Sequence, residues 1–414
     1  MEGGDFILEL EKSRFQREIE SILGSPDQAI VLLLTLSIFA PFGFSTVSVC
    51  GIAIMTMINY NKRAKAFRAP YTKLLFGFVI ATFFVAATFG NYRGMLYSIL
   101  IGAVVVCALY IRSVMTRTLF NQAMDLACLA SLWCVLIAVV QKAETLSAAP
   151  TYRPVSVFTN ANYFGMMIEF IVIIALYRTF TNPEKQAFYF SVIGCNLVGL
   201  YLCASLSSFV AMLGAVVVLL AMKKKYRPAT VILGISCCYL IASLFLPSLF
   251  PRGSEALENT LAERLSIWSA SVKGIEQDPL FGRGAMAYQM IYEQFGSYKT
   301  YHCHNLILDI LLNFGFAGMA VIGFFVLSQA KLLVLRFRCN ICTNMNILLV
   351  AASAAVAIHG MTDVTIFWIQ TAALFLLIYS STGISSEYLE RKFRLPKLVP
   401  EYAGETVSQG AFLK

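Results

Sequence analysis

Apolar runs of about twenty residues, separated by short polar turns, recur along nearly the whole chain, and each is long enough to cross ~30 Å of hydrocarbon as a helix. Such a pattern leaves few folds open. A backbone in lipid must satisfy its own amides and carbonyls, which only helices and closed barrels achieve. The runs lie near 29–43, 44–60, 72–90, 94–111, 119–141, 161–179, 187–204, 206–222, 229–247, 304–330, 343–361 and 366–385. They predict an all-α integral membrane protein with about 12 transmembrane helices. Composition agrees: of 414 residues 58% are hydrophobic and 13% charged, against about 25% charged in soluble domains. The first 28 residues hold five Glu and two Asp, unlike the basic opening of a removable signal peptide.

The net charge of +9 invites a nucleic-acid reading, but its placement argues against one. With the N-terminus in the cytoplasm, 24 of the 32 Lys and Arg fall on the inner side, including Lys62-Arg63 and Lys223-Lys224-Lys225. That is the positive-inside pattern, in which basic residues set orientation and meet the anionic inner leaflet. The expected order is a cytoplasmic segment (1–28), nine spans (29–247), an outer loop (248–303), three spans (304–385) and a cytoplasmic tail (386–414). The expected location is a membrane crossed many times, its basic side toward the cytoplasm, with the lipid bilayer as partner and no nucleic acid. The eleven Cys lie mostly in spans, where a thiol behaves as a small apolar group. The lone Cys339-x-x-Cys342 is weak evidence for zinc.

Polar chemistry concentrates around the long loop. Thr260 and Glu263 have capping-box spacing, which predicts a helix starting there. Leu261, Leu265, Trp268, Val272 and Ile275 recur on one apolar face, as in a helix lying on the membrane with Trp268 as interface anchor. Asp278-Pro279 ends this helix, and Gly282 and Gly284 follow in a turn. The three histidines, His302, His304 and His359, all fall at predicted outer ends of spans. His302 is expected to point away from His304 if the following helix extends that far. Asn305, Asp309 and Asn313 repeat every four residues and mark that helix's inward face. Glu169 lies deep in a span with no partner evident from sequence. There is no catalytic triad and no Asp-x-Asp to hold a divalent metal on a sugar nucleotide, so metal-dependent nucleotide-sugar chemistry is not expected.

Several of these motifs together resemble a known family. Arg264-x-x-x-Trp268, followed by Pro279-x-x-Gly282-x-Gly284, is similar to the R-x-x-x-W … P-x-x-G-x-G signature of O-antigen ligases and related surface-polysaccharide polymerases. His304-Asn305-x-x-Leu308 with Gly315 and Gly318 resembles that family's H-N-x-x-L … G-x-x-G segment. Arg153 through Asn162 resembles its R-x-x-G-x-F-x-N-x-N loop, and His359-x-x-x-Asp363 its late H-x-x-x-D. Two departures stand out. Ser156 replaces the loop's Gly, and the stretch Ser205–Ala211 lacks the Arg that the family's ligases carry there.

The resemblance implies a GT-C-like helical fold and a metal-independent glycosyltransferase without cofactors. Its donor would be a polyprenyl-diphosphate-linked oligosaccharide, its acceptor a glycan or glycolipid, and its site on the outer face. It assigns Arg264 to the donor diphosphate and His304 to the acceptor hydroxyl as general base. Arg153, Arg283, Asn160, Asn162, Asn305 and Asp363 become candidate substrate-binding residues, with no metal ligands. Polysaccharide-assembly proteins fit as further partners. Two rivals belong to other classes: a transporter or flippase of lipid-linked glycans, which would carry internal repeats and midplane charges, and a non-catalytic membrane scaffold.

Overall fold

The computed structural model describes residues 25–245 and 254–385. The expectations for residues 1–24, for the opening of the long loop (246–253) and for the tail (386–414) lie outside the described residues. Among the described residues every regular element is helical. In chain order they are α1 (Pro26–Ser37), α2 (Phe42–Ile58), α3 (Tyr60–Ala66), α4 (Thr72–Thr88), α5 (Tyr92–Val114), α6 (Arg117–Thr145), α7 (Ala161–Thr181) and α8 (Gln186–Cys203). There follow α9 (Leu206–Met222), α10 (Tyr226–Phe245), α11 (Ser254–Gln277), α12 (Tyr288–Ile291), α13 (Leu306–Arg338), α14 (Thr343–His359) and α15 (Ile369–Tyr379). Ser25, Asn59, Asn91, Thr116, Asn160 and Asn305 cap the starts of six of them, each side-chain oxygen accepting a first-turn amide.

The chain is a multi-pass membrane protein. Helices α5, α6, α7, α13 and the run Pro183–Cys203 are each long and apolar enough to cross a bilayer; α2 with α3, bent by 104°, makes a sixth candidate. The other apolar helices, α1, α4, α9, α14 and the run Ile369–Gly383, are shorter, at 10–17 residues. Large apolar side chains such as Phe84, Leu96, Trp133 and Leu327 stand on the outer surface, where only lipid would cover them. Helix α7 is the opposite case. It is buried nearly all round, as expected of a helix that is apolar on every face, and α6, α8, α9 and α14 surround it.

The bundle has two chemically distinct ends. At one, Lys62 pairs with Asp27, Arg178 forks onto Asp125, and the fully buried Arg336 donates to the carbonyls of Ser381, Thr382 and Ile384. Lys223 bonds Asn344 there, at the start of α14, while Ser207 meets Thr362 just beyond the other end of α14. That second end gathers the histidines.

Helix α13 is broken at Gly315, whose backbone (φ 63°, ψ −171°) belongs to a region that essentially only glycine adopts. An unbroken helix would join the Leu312 and Asn313 carbonyls to the amides of Phe316 and Ala317. The segment after α11 supplies other partners for all four groups. Arg283 N–H donates to Leu312 O (3.2 Å) and Gly284 N–H to Asn313 O (2.9 Å). Phe316 N–H donates to Pro279 O (2.8 Å) and Ala317 N–H to Leu280 O (2.9 Å). The approach is too close for side chains: a Cβ on Gly315 would lie 2.3 Å from Leu280 O, and one on Gly282 2.6 Å from Leu312 O. The Pro279–Gly284 motif is thus a splice that repairs a break in an apolar helix, where unpaired amides would be costly.

Candidate active site

Helix α11 begins at Ser254, six residues before the expected capping box, so Thr260 and Glu263 lie inside the helix rather than at its start. The Ser-Glu-Ala-Leu-Glu opening consists mainly of good helix formers, and these extend the helix past the Thr. The expected apolar stripe is also split. Leu261, Leu265 and Val272 are exposed, whereas Ile267, Ala270 and Ser271 are buried. Ile267 and Ala270 pack against Ala287, Tyr288, Ile291 and Leu312 in a small second core. Periodicity weights large side chains, but close packing here selects small ones. A Cβ on Gly274 would lie 2.5 Å from Ile291 and 2.8 Å from Leu312.

Trp268 turns inward with this face. Its indole N–H donates to the His304 carbonyl (3.2 Å), so it holds the histidine segment instead of anchoring at the interface. Arg264, one turn earlier, shares that face. Among the described residues its guanidinium makes no hydrogen bond or ion pair, yet it is close enough to feel Asp363 and His359. Burial lowers its pKa, with Asp363 and Glu263 opposing, and Arg stays cationic regardless.

Residues 302–305 form an irregular turn, because α13 starts only at Leu306. His304 itself adopts a left-handed conformation (φ 48°), a strained state typical of sites over-determined by their surroundings. Its Nδ1 lies 3.1 Å from Asp363 Oδ1, an oxygen that also accepts the Val364 amide (2.8 Å). His302 does not point away, since no helix reaches it: its Nε2 sits 3.6 Å from the same oxygen. The His302 Nδ1 accepts the His304 amide (3.3 Å), which places the His302 proton on Nε2, toward the carboxylate. Burial pushes His302 down to about 4, against the pull of Asp363, so it is neutral at ordinary pH. Burial alone would raise Asp363, but the His304 hydrogen bond, together with the neighbouring imidazoles of His302 and His359, holds it well below the usual carboxylate range. An ionised Asp363 can only accept, so His304 carries its proton on Nδ1. In the neutral ring Nε2 is then the lone-pair nitrogen, on a side chain that is 24% exposed.

Sequence reasoning missed the partner of Glu169. It is His359, with Oε2 2.8 Å from Nδ1 and both side chains fully buried, while Glu169 Oε1 and His359 Nε2 find no partner among the described residues. Nothing in the local pattern links residues 190 positions apart.

The remaining candidates have internal roles. Arg153 donates to the Cys203 carbonyl (2.8 Å) and to Asn162 (2.6 Å) at the junction of α8 and α9. Arg283 is bound to Asp278 (2.5 Å) and Gln277 (2.6 Å) and stacks over Phe89. Asn160 caps α7 through Tyr163 N–H; Asn305 caps α13 and donates to the Met361 carbonyl. Asp309 and Asn313 are buried as expected of an inward face. They bind each other and the amides of Cys303 and Ala287, tying the loop to α13. Ser156, in place of the resembling family's Gly, is left-handed (φ 57°). Two bonds at Gln141 and one to the Cys134 carbonyl hold it there.

Residues 190–323 match the family model for O-antigen ligase. The match spans 134 of the 414 residues, about a third of the chain. The matched stretch contains Arg264, Trp268, the splice, His304 and Gly315, while Asp363 joins the site from beyond it. This family implies membrane glycosyl transfer of the ligase or polymerase type. Comparison with curated proteins gives no significant match.

Proposed function

We propose that this protein takes a glycan from a polyprenyl-diphosphate carrier and attaches it to an acceptor hydroxyl, on the outer face of a bacterial cytoplasmic membrane. The observation that carries the reading is the His304–Asp363 pair beside Arg264, which has no hydrogen-bond or ion-pair partner among the described residues. Asp363 fixes the imidazole with Nε2 free, the arrangement by which a carboxylate orients a general base and stabilises its cation. Nε2 would take the acceptor proton as the sugar's anomeric carbon leaves the diphosphate. Arg264 would offer its planar fork to the departing oxygens. A diphosphate is already a competent leaving group, so no metal step is required in this scheme, and charge stabilisation with a positioned base suffices.

The basic residues pinning the far end of the bundle suit the cytoplasmic side and so support an outer assignment for the histidine end. We read the shorter apolar helices as further spans, for about twelve in a GT-C-like arrangement. Between ligase and polymerase we choose polymerase. Ser207, in the stretch that lacks the ligase Arg, touches Thr362 next to Asp363, so the site is short of one cation where a ligase has one. The acceptor is then the growing glycan itself, and polysaccharide-assembly proteins are natural partners. Reconstituted protein given a polyprenyl-diphosphate oligosaccharide should yield a ladder of lengths. A single transfer to a distinct lipid would make it a ligase. Unchanged substrate would leave a transporter or a scaffold.

A further inference from the structure

We infer that His302, His304 and Asp363 form a divalent transition-metal site, suited to zinc, whose occupancy switches the proposed base off. The inhibitory half rests on the reading of His304 as base; the binding half does not. The three side chains each bring one ligand atom within 4.8 Å of the others. His304 Nδ1 and His302 Nε2 stand 3.1 and 3.6 Å from Asp363 Oδ1. Tetrahedral zinc, with bonds of about 2.0–2.1 Å, separates its ligand atoms by roughly 3.3 Å. Both measured separations bracket that value. The two imidazoles, whose rings are 4.5 Å apart between centroids, hold their ligand nitrogens within 4.8 Å and would close toward the tetrahedral separation on binding. Two nitrogens and one carboxylate suit zinc or cobalt, whereas magnesium and calcium take oxygen. Asp363 and His302 are buried and fixed, and the part-exposed His304 leaves the fourth position open to water.

The proton balance makes such a site inhibitory. A metal bound at Nδ1 of neutral His304 requires the ring proton to move to Nε2. The nitrogen that would accept the acceptor's proton then becomes a donor, and the Asp363 bond that oriented it is gone. Binding through His302 Nε2 likewise shifts that ring's proton to Nδ1 and costs the bond from the His304 amide. No proton is gained or lost overall; both relocate through solvent. The same three groups therefore serve either as a base or as a metal ligand set, never both.

The test uses full-length protein, metal-free, in lipid nanodiscs. Cobalt(II) alone should bind one per chain with the intense visible bands of a four- or five-coordinate ion, and zinc should displace it. Zinc should also suppress single-turnover transfer by roughly 10²–10⁴-fold, the usual worth of a general base, and EDTA should restore it. His302→Gln, which keeps an acceptor for the His304 amide, should weaken cobalt binding by at least about tenfold, as lost metal-site support does. Absence of the bands in the wild-type protein overturns the site and leaves His304 as base untouched. Bands unchanged in both His302→Gln and Asp363→Asn place the metal elsewhere and overturn it equally. Stoichiometric binding with unaltered transfer overturns the switch, and with it the reading of His304 as base. Transfer that rises with zinc overturns the inference outright.

Discussion

Replacing Asp363 by Asn isolates charge from geometry. One oxygen, Oδ1, accepts both His304 Nδ1–H and the Val364 amide, and an amide oxygen in the same place can accept both. The variant therefore keeps the His304 orientation and tautomer while losing the negative charge opposite the imidazolium that forms during transfer. Two unit charges about 4 Å apart interact by about 1 kcal/mol in water and about 4 kcal/mol at a protein-surface dielectric. Asp363 is buried and His304 only partly exposed, so the upper part of that range applies, about 2–4 kcal/mol. At 1.36 kcal/mol per decade, the chemical step should slow by roughly 30- to 1,000-fold. The assay is single-turnover transfer at saturating donor, with donor affinity measured separately. Affinity should stay near the parental value, because Asp363 acts through His304. Asp363→Ala, which also frees the ring, should be slower still. Parental turnover in Asp363→Asn would refute the argument; so would a rate loss that is matched in full by weaker donor binding.

Arg264→Lys should insert and accumulate normally but lose most donor turnover, since an ammonium cannot reproduce a bidentate fork; near-normal turnover would reduce Arg264 to a headgroup anchor. His304→Ala should cut the chemical step by about 10²–10⁴-fold, and His302→Ala by less; parental single-turnover rates in His304→Ala would move the base elsewhere. Gly315→Ala should fail to accumulate as a monodisperse protein, because its Cβ meets the Leu280 carbonyl and its backbone is left-handed; normal yield and size-exclusion behaviour would disprove the splice. A Cys in place of the exposed Lys299 should react with a membrane-impermeant thiol reagent in intact cells, native thiols controlled for; labelling only after permeabilisation would reverse the orientation.

Much of the helical frame was readable because it follows from local chemistry. Asn160 and Asn305 cap helices whose apolar residues announce them, and Asp278-Pro279 ends α11 where expected. What stayed hidden was set by distant residues or by backbone angles. The Thr260–Glu263 spacing is a capping signature only where a helix starts, and the formers upstream of it moved the start to Ser254. Trp268 looked like an interface anchor because its value lies in one bond to a carbonyl 36 positions away. Glu169 and His359 sit in different helices and meet only after the bundle closes. The break in α13 was invisible for a related reason. Gly315 reads as one small residue in an apolar run until its torsion angles are known.

These hidden contacts divide the resembling motifs into two jobs that sequence alone merges. Pro279, Gly282, Gly284 and Gly315 touch no reacting group; they let two backbones meet and exchange four hydrogen bonds in an apolar setting. The exchange fixes the first turns of α13, and Asp309 and Asn313 on those turns hold the amides of Cys303 and Ala287. Trp268 closes the same loop from α11 by holding the His304 carbonyl. The left-handed turn at His304 is thus fastened on both sides, which explains how a strained residue persists there. Arg264, one turn from Trp268, inherits its position from the same fastening. A change in the splice should therefore reach turnover through the placement of His304, and its signature would be loss of rate together with loss of assembly. A change at Asp363 should cost rate alone.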